Sequence, residues 1–481
     1  MNHMNAFLKS VATCVVAAGL MACSSDGIFD VRDYGAVSDG SALTTGHIQR
    51  AIDACAEAGG GVVLIPKGDY LTGTINLKSG VEFRFEQGAR LIATTDLSQY
   101  QRHNTELAGV FYTEDCENVS ITGPGIIFGQ GMEFMEKGEL KALDGPVFRY
   151  SRQGENCRQL PDGSLGDGPV EPKDRFHQML VFSNCKDVRL TDFKCVDSPY
   201  WCFIIVHCDG VFIRGLRIDN DLLIPNGDGI DCISTSNIII SDCDISCGDD
   251  AIVFTGYDWH FGDPGLKRIH KPMRNINVSN CNLRSRSSAI RIGLWHRNPM
   301  SDFNFSNINI YDSNCGIGIS VRDSAGIENL NFNNFNIHTR LHSGDWWGNG
   351  EPIKITSIRD DNFDINSERD YHPGTIRNVN FTNINAVGES SVLLYASEES
   401  CVENVTFFNC DFALRQSPLS DIAGGNFDMR PNSVEGKQFF AHDTPVVYAE
   451  NIKGLVFRDV RTSLQGEITK DYIKDGIVIV K

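Results

Sequence analysis

Asn275-Ile276-Asn277-Val278-Ser279-Asn280, Asp302-Phe303-Asn304-Phe305-Ser306-Asn307 and Asn329-Leu330-Asn331-Phe332-Asn333-Asn334 are three copies of one short pattern. Each runs Asn or Asp, apolar, polar, apolar and then a polar turn, the alternation of a half-buried strand. The first apolar position recurs at Val119, Val188, Val211, Ile238, Ile276, Phe303, Leu330, Val379, Val405 and Leu455. The intervals are 69, 23, 27, 38, 27, 27, 49, 26 and 50 residues, which read as one coil of 23 to 27 residues or as two or three such coils. One coil cannot bury its apolar face alone, whereas stacked coils enclose a continuous interior and pair every strand edge. The pattern therefore predicts an all-β, single-domain parallel β-helix, with the recurrent Asn and Cys stacked in internal ladders. A leucine-rich solenoid would show regular Leu spacing and a helical half-repeat, and a propeller would need blades of roughly 40 to 45 residues.

Outward from the repeat, Thr45 to Ala56 carries Ile48, Ala51, Ile52 and Cys55 on one helical face, predicting a short helix that caps the N-terminal end of the stack. Tyr150 to Asp174 is the longest irregular stretch, and His342 to Glu351 is a second insertion; long loops in compact domains usually carry function. At the start, Lys9, the apolar run Val11 to Met21 and Leu20-Met21-Ala22-Cys23 read as an export signal. Its end resembles the lipobox of bacterial lipoproteins, with Cys23 as the lipidated residue. The expected organisation is 1–23 signal, 24–28 tether and 29–481 β-helix, with the protein exported and held at an outer membrane only through that lipid. Beyond the leader no apolar run approaches the roughly 18 residues of a spanning helix. The formal charge of −19 gives a field that repels polyanions and argues against nucleic acid as a partner. Sixteen Cys in an exported chain would suggest disulfides. Their recurrence at equivalent points (Cys185, Cys208, Cys243, Cys281, Cys315, Cys410) instead predicts buried, stacked thiols, and no paired zinc spacing is present.

The densest chemistry lies in Pro225-Asn226-Gly227-Asp228-Gly229-Ile230-Asp231 and Cys247-Gly248-Asp249-Asp250-Ala251-Ile252. Asp228 and Asp249 are 21 residues apart, close to one coil, so the two segments should lie on adjacent rungs about 4.8 Å apart. Asp249 and Asp250 would face opposite sides of a regular strand, so sharing one cleft requires a bend, for which Gly248 is suited. Crowded carboxylates raise at least one pKa and set a proton donor beside a base, as glycoside hydrolysis requires. The same residues are compatible with solvated turn acids or a calcium site.

From about Phe29 to Thr462 the chain resembles glycoside hydrolase family 28, the polygalacturonase family of right-handed parallel β-helices. The resemblance is carried by Phe29-Asp30-Val31-Arg32-Asp33-Tyr34-Gly35-Ala36, Asp197-Ser198-Pro199-Tyr200-Trp201, Asn226 to Asp231 and Gly248-Asp249-Asp250. It implies an inverting hydrolase in which Asp249 protonates the glycosidic oxygen while Asp228 and Asp250 orient and deprotonate water. Such a scheme needs no metal or other cofactor. Inversion carries the expectation of an acid-to-base gap of about 6.5 to 9.5 Å.

The chain departs from that family in two places. Ser288 stands where the resemblance implies an assisting His, and Gly318-Ile319-Ser320 where it implies an Arg and a Lys that bind the substrate carboxylate. Arg291 and Arg322 are the candidate replacement cations, and His296, His260 and His207 the candidate replacement imidazoles. Trp346 and Trp347 are a candidate sugar-stacking platform, Glu351 a candidate ligand for hydroxyls or a cation, and Asn226 a candidate substrate contact. The substrate expected is a galacturonan, a rhamnogalacturonan or another plant or algal polysaccharide, with exo action if the long insertions close the cleft. A polysaccharide lyase and a non-catalytic glycan-binding β-helix are the competing readings.

Overall fold

The computed structural model describes residues 27–481 except 104–105, 142–148, 151–153, 156–165, 258–269, 361–371, 423 and 431–438. The proposed signal, Cys23, most of the tether, His260 and much of the Tyr150 to Asp174 stretch therefore lie outside the described residues.

The chain winds as a right-handed parallel β-helix. The earlier coils give two short stretches to a 22-stranded sheet and one to a 13-stranded sheet, as in Lys186–Thr191, Lys194–Val196 and Trp201–Val206, whereas Met300–Ser313, Ile327–Thr339, Ile376–Gly388 and Val402–Arg415 each run through as one long strand of the larger sheet. The repeat read from sequence is the rung register itself: Val119 pairs with Val188, then Val211, Ile238, Ile276, Phe303, Leu330, Val379 and Val405 in turn. The long intervals are a correction. Val119 and Val188 are direct neighbours, as are Leu330 and Val379, so a long interval is one coil carrying an insertion and not two or three coils.

Alternation decides what faces inward. Phe305, Phe332, Phe381, Phe407 and Phe457 stack at centroid spacings of 4.9, 4.8, 4.8 and 5.3 Å, the spacing of the rungs that carry them. The thiols are internal as expected. All thirteen cysteines among the described residues are free and only Cys401 is not buried. The Cys185 N–H donates to Cys208 Sγ at 3.3 Å and the Cys208 N–H to Thr235 Oγ1 at 3.0 Å. The Asn ladders differ from expectation, because they run along the outside. Asn280, Asn307, Asn334 and Asn383 have φ between 55° and 59°, and each amide donates to the preceding rung, for example Asn334 to Asn307 at 3.1 Å. A left-handed corner is a conformation Asn tolerates better than other residues with a side chain, and the corner turns that side chain outward. The helix Thr45–Glu57 buries Ile48, Ala51, Ile52 and Cys55 against the first coil, the face the periodicity selects.

Candidate active site

Asp228 lies two residues before the start of the strand Ile230–Ile233, and Asp249 and Asp250 sit in the bend between Asp244–Cys247 and Ile252–Thr255. Ile230 pairs with Ile252, and the Gly229 N–H donates to the Asp250 carbonyl at 2.9 Å, so the two segments occupy adjacent rungs. A Cβ on Gly248 would lie 2.3 Å from the Ile224 carbonyl oxygen. Only glycine lets the chain fold this closely onto the 221–224 turn, and that bend brings both following carboxylates to one side. One carboxylate oxygen from each of Asp228, Asp249 and Asp250 lies within 4.8 Å of the others. The three acids thus converge from successive coils.

They are closer than the 6.5 to 9.5 Å gap expected for inversion. Two acceptors roughly 4.5 to 5 Å apart can both receive hydrogen bonds of about 2.8 Å from one water, so a pair of these acids suffices to seat it.

Burial dominates the electrostatics. Asp249 is pushed up to about 7 by burial and then by the Asp250 charge, with Arg291 opposing. Asp228 is raised well above the usual carboxylate range by burial and by Asp249, Asp231 and Asp250. Asp231, the next outward residue on the same rung, is raised by burial. Asp250 has definite partners: Oδ1 accepts from the Ser288 N–H at 2.8 Å, and Oδ2 lies 2.5 Å from Arg291 Nε. Asp249 is the most exposed of the three acids. A proton held near neutrality on the most accessible acid, beside an arginine-paired carboxylate, is an acid-base arrangement. Three carboxylates are also a donor set for a divalent cation, but the Arg291 charge at Asp250 and the proton on Asp249 oppose one here.

Arg175, which sequence reasoning missed, lies beside the cluster. Its guanidinium donates to the carbonyls of Pro199 and Pro225 at 2.5 and 2.9 Å and to Asn226 Oδ1 at 3.3 Å, and it stacks 4.6 Å from the Tyr200 ring centroid. Burial lowers it to about 10, against the pull of Tyr200, Asp228 and Asp249. Arg175 therefore pins the turn that presents Asp228, and the Asn226 side chain is a partner of that clamp.

Other expected site residues sit elsewhere. Arg322 is fully buried and donates to the Val321, Thr356 and Met429 carbonyls, so it is a structural cation and not a substrate ligand. His296 is fully buried, its Nδ1 3.2 Å from the Leu294 carbonyl, and burial lowers it to about 4. His207 is a buried corner residue, likewise lowered to about 4. Neither replaces the imidazole at Ser288. Trp346 is buried with Nε1 on the Asp167 carbonyl, whereas Trp347 is 36% exposed and lines a recess with Arg291, so the platform reduces to one ring. Glu351 is buried, its Oε2 accepting from the Asn349 N–H at 2.6 Å, which removes it from contact with sugar hydroxyls. Arg291 binds Asp250 and so acts on the acids before any substrate.

Lys354, also missed, opens into the same recess. Arg291, Gly318 and Lys354 occupy one outward position on three successive rungs. Reading the interval from Leu330 to Val379 as a single coil would have aligned Lys354 with Arg291.

The family description "Glycosyl hydrolases family 28" matches residues 165–333, and "Rhamnogalacturonase A/epimerase, pectate lyase-like" matches 28–96. An exopolygalacturonase of Zea mays is 29% identical over 323 residues, covering 60% of this chain and 70% of that protein. The structure of the Yersinia enterocolitica family 28 exopolygalacturonase aligns with a TM-score of 0.62 at 18% identity, over 95% of this chain and 79% of the other. A hyperthermoactive exopolygalacturonase from Thermotoga maritima aligns with a TM-score of 0.59 at 21% identity, over 81% and 87%.

Proposed function

We propose, from the premise that the chain is a polygalacturonase-like glycoside hydrolase of family 28, that it cleaves a pectin-related polysaccharide with inversion, by direct attack of water. The observation that carries this reading is the convergence of Asp228, Asp249 and Asp250 within 4.8 Å, with Asp249 raised to about 7. Asp249 donates its proton to the leaving oxygen. Asp228 and Asp250 seat the water, and Asp250, ion-paired with Arg291, is the acid placed to take its proton. The oxocarbenium charge that develops between these events is favoured by the same acids.

Exo action is part of the proposal, supported by the names of the relatives and by the insertions. Asp167, in the insertion before the Val188 coil, pairs with Arg340 at 3.1 Å and with Arg286 at 3.3 Å. Trp346 donates to the Asp167 carbonyl, and Arg430 reaches Asp345 at 3.0 Å. Three insertions are thereby tied together beyond the acids, as a wall at one end of a cleft would be. Export and a lipid anchor at Cys23 belong to the proposal too, and labelling with a fatty acid that disappears in Cys23→Ser tests them.

The function is tested by incubating the purified protein with de-esterified galacturonan, rhamnogalacturonan and algal glycans and following new reducing ends. Saturated products from a pectic glycan, lost in Asp249→Asn, are expected. Unsaturated products would favour the lyase, and no product from any glycan would favour a binding protein.

A further inference from the structure

Asp167 stands outside the acid cluster, yet its contacts lead to both of the segments that support it. Its carboxylate accepts two hydrogen bonds from Arg340, Nη1 to Oδ2 at 3.1 Å and Nη2 to Oδ1 at 3.2 Å, and lies 3.3 Å from Arg286 Nη2 and 3.2 Å from His342 Nδ1. Its N–H donates to Ser343 Oγ at 2.9 Å, and its carbonyl accepts from Trp346 Nε1 at 3.2 Å. Burial alone would raise this carboxyl, but the bonds with His342 and Arg340 outweigh it and hold the group well below the usual carboxylate range. Asp167 is thus a fixed charge, anchored through side chain and main chain alike.

The segment that follows it grips the turn leading into Asp228. Gly168, φ 81°, passes so close that a Cβ there would lie 2.8 Å from Leu223 Cδ2. The Val170 N–H donates to the Leu223 carbonyl at 3.0 Å, and Arg175 reaches the Pro225 carbonyl at 2.9 Å. On its other side the same turn fills the space over Gly227 and Gly248, where Cβ atoms would lie 3.0 and 2.3 Å from the Ile224 carbonyl oxygen. Where the 223–225 turn sits therefore decides how Asp228 meets Asp249. Arg286 leads to the second support. The Ser288 N–H donates to Asp250 Oδ1 at 2.8 Å, the Ser287 N–H to Ser285 Oγ at 2.8 Å, and Ser285 Oγ to the Asp249 carbonyl at 2.5 Å. Arg286 is buried within this run, between Asp167 and Asp312.

We infer that Asp167 is a positioning residue for the acid cluster: by joining the 167–175 segment to Arg286, it holds Asp228 against Asp249 and Asp250 at the separation that lets a pair of them share one water. The inference rests on the hydrolase reading for its effect on turnover, but not for the geometry it fixes. Acids crowded together and shielded from solvent lose both features when their braces slacken, and water entering between them returns Asp249 toward the ordinary carboxylate range.

The test reads Asp249 without turnover. Urea unfolding of the full chain with and without Asp249→Asn, across pH, gives a stability difference that levels off at the pH where Asp249 ionises in the folded state. In an Asp167→Asn background, which keeps the shape and removes the charge, that pH should fall by at least about one unit, a tenfold stronger acid. Val170→Pro removes the N–H at Leu223 without touching the ion pairs and should move it in the same direction. Arg284→Met removes a guanidinium that pairs with Asp312, and should cost stability while leaving the levelling pH unchanged. On galacturonan, kcat of Asp167→Asn should fall at least about tenfold with KM little changed, as for misplaced catalytic groups. A levelling pH unmoved by Asp167→Asn and Val170→Pro, or moved equally by Arg284→Met, would overturn the inference; if Asp167→Asn does not fold, the other two variants decide it on the same terms. Hydrolysis with an unmoved levelling pH would leave the hydrolase reading standing and remove the brace. A shifted levelling pH in a chain that cleaves nothing would do the reverse.

Discussion

Replacing Asp249 with Asn is expected to reduce activity sharply and, at neutral pH, to stabilise the fold. In the unfolded chain this carboxyl ionises near its ordinary 3.8, and in the folded chain near 7, chiefly because burial disfavours the charge. Between those values the unfolded chain has released a proton that the folded chain retains. Asp249 therefore costs stability progressively as pH rises from about 4 to about 7, and the cost is complete above that. At about 1.4 kcal/mol for each tenfold in the ionisation constant, the upper bound is about 4 kcal/mol. Asp249 is only partly buried, and solvent screening brings the figure nearer to about 2 kcal/mol. The amide keeps the shape and never ionises. Urea unfolding followed by tryptophan fluorescence should give coincident stabilities for parent and variant at pH near 4, with the variant ahead by about 2 kcal/mol near pH 8. Activity should fall about 10²- to 10⁴-fold, the usual contribution of a general acid. A stability difference that does not change with pH, or a parent more stable than the Asp249→Asn variant near pH 8, would refute the reasoning.

Arg291→Met leaves the Asp250 carboxylate buried without its partner, and should cost about 3 to 5 kcal/mol in urea unfolding at neutral pH together with most of the activity; Arg291→Lys should recover more fold than activity, because Nε is the atom at Asp250. Phe381→Ala removes the middle of the aromatic stack between Phe332 and Phe407 and should cost about 3 to 5 kcal/mol, seen in the same unfolding assay with site chemistry unchanged. At Asn334, φ 59°, Ala should cost about 1 to 2 kcal/mol more than Gly, because Gly keeps the left-handed corner and loses only the ladder bonds to Asn307 and Asn383.

The rung register was legible because alternation and corner Asn repeat together, so Ile276, Phe303 and Leu330 align from the pattern alone. The cap helix was legible for the same reason, since Ile48, Ala51, Ile52 and Cys55 fall on one face. Insertions were what sequence periodicity concealed. They made single coils look like multiples, and so Lys354 was not matched to Arg291 and Gly318. Convergence of the acids followed from a coil-length spacing plus Gly248. Fates such as those of Arg322, Trp346 and Glu351 did not, because positions in loops and at strand ends can be covered by an insertion from far along the chain. Arg430 and Asp428, which help wall in Trp346 and its neighbours, come from the insertion after Arg415. Arg175 lies in an irregular stretch where no period exists to place it.

Stereochemistry tests the catalytic account most directly. Proton NMR of the first sugar released from a de-esterified galacturonan, recorded before mutarotation, should show the anomer opposite to that of the cleaved linkage, since water held by Asp228 and Asp250 displaces the leaving group in one step. A product that keeps the original anomeric configuration would show that one of these closely spaced carboxylates attacks the sugar itself, and would contradict the assignment of roles made from their geometry.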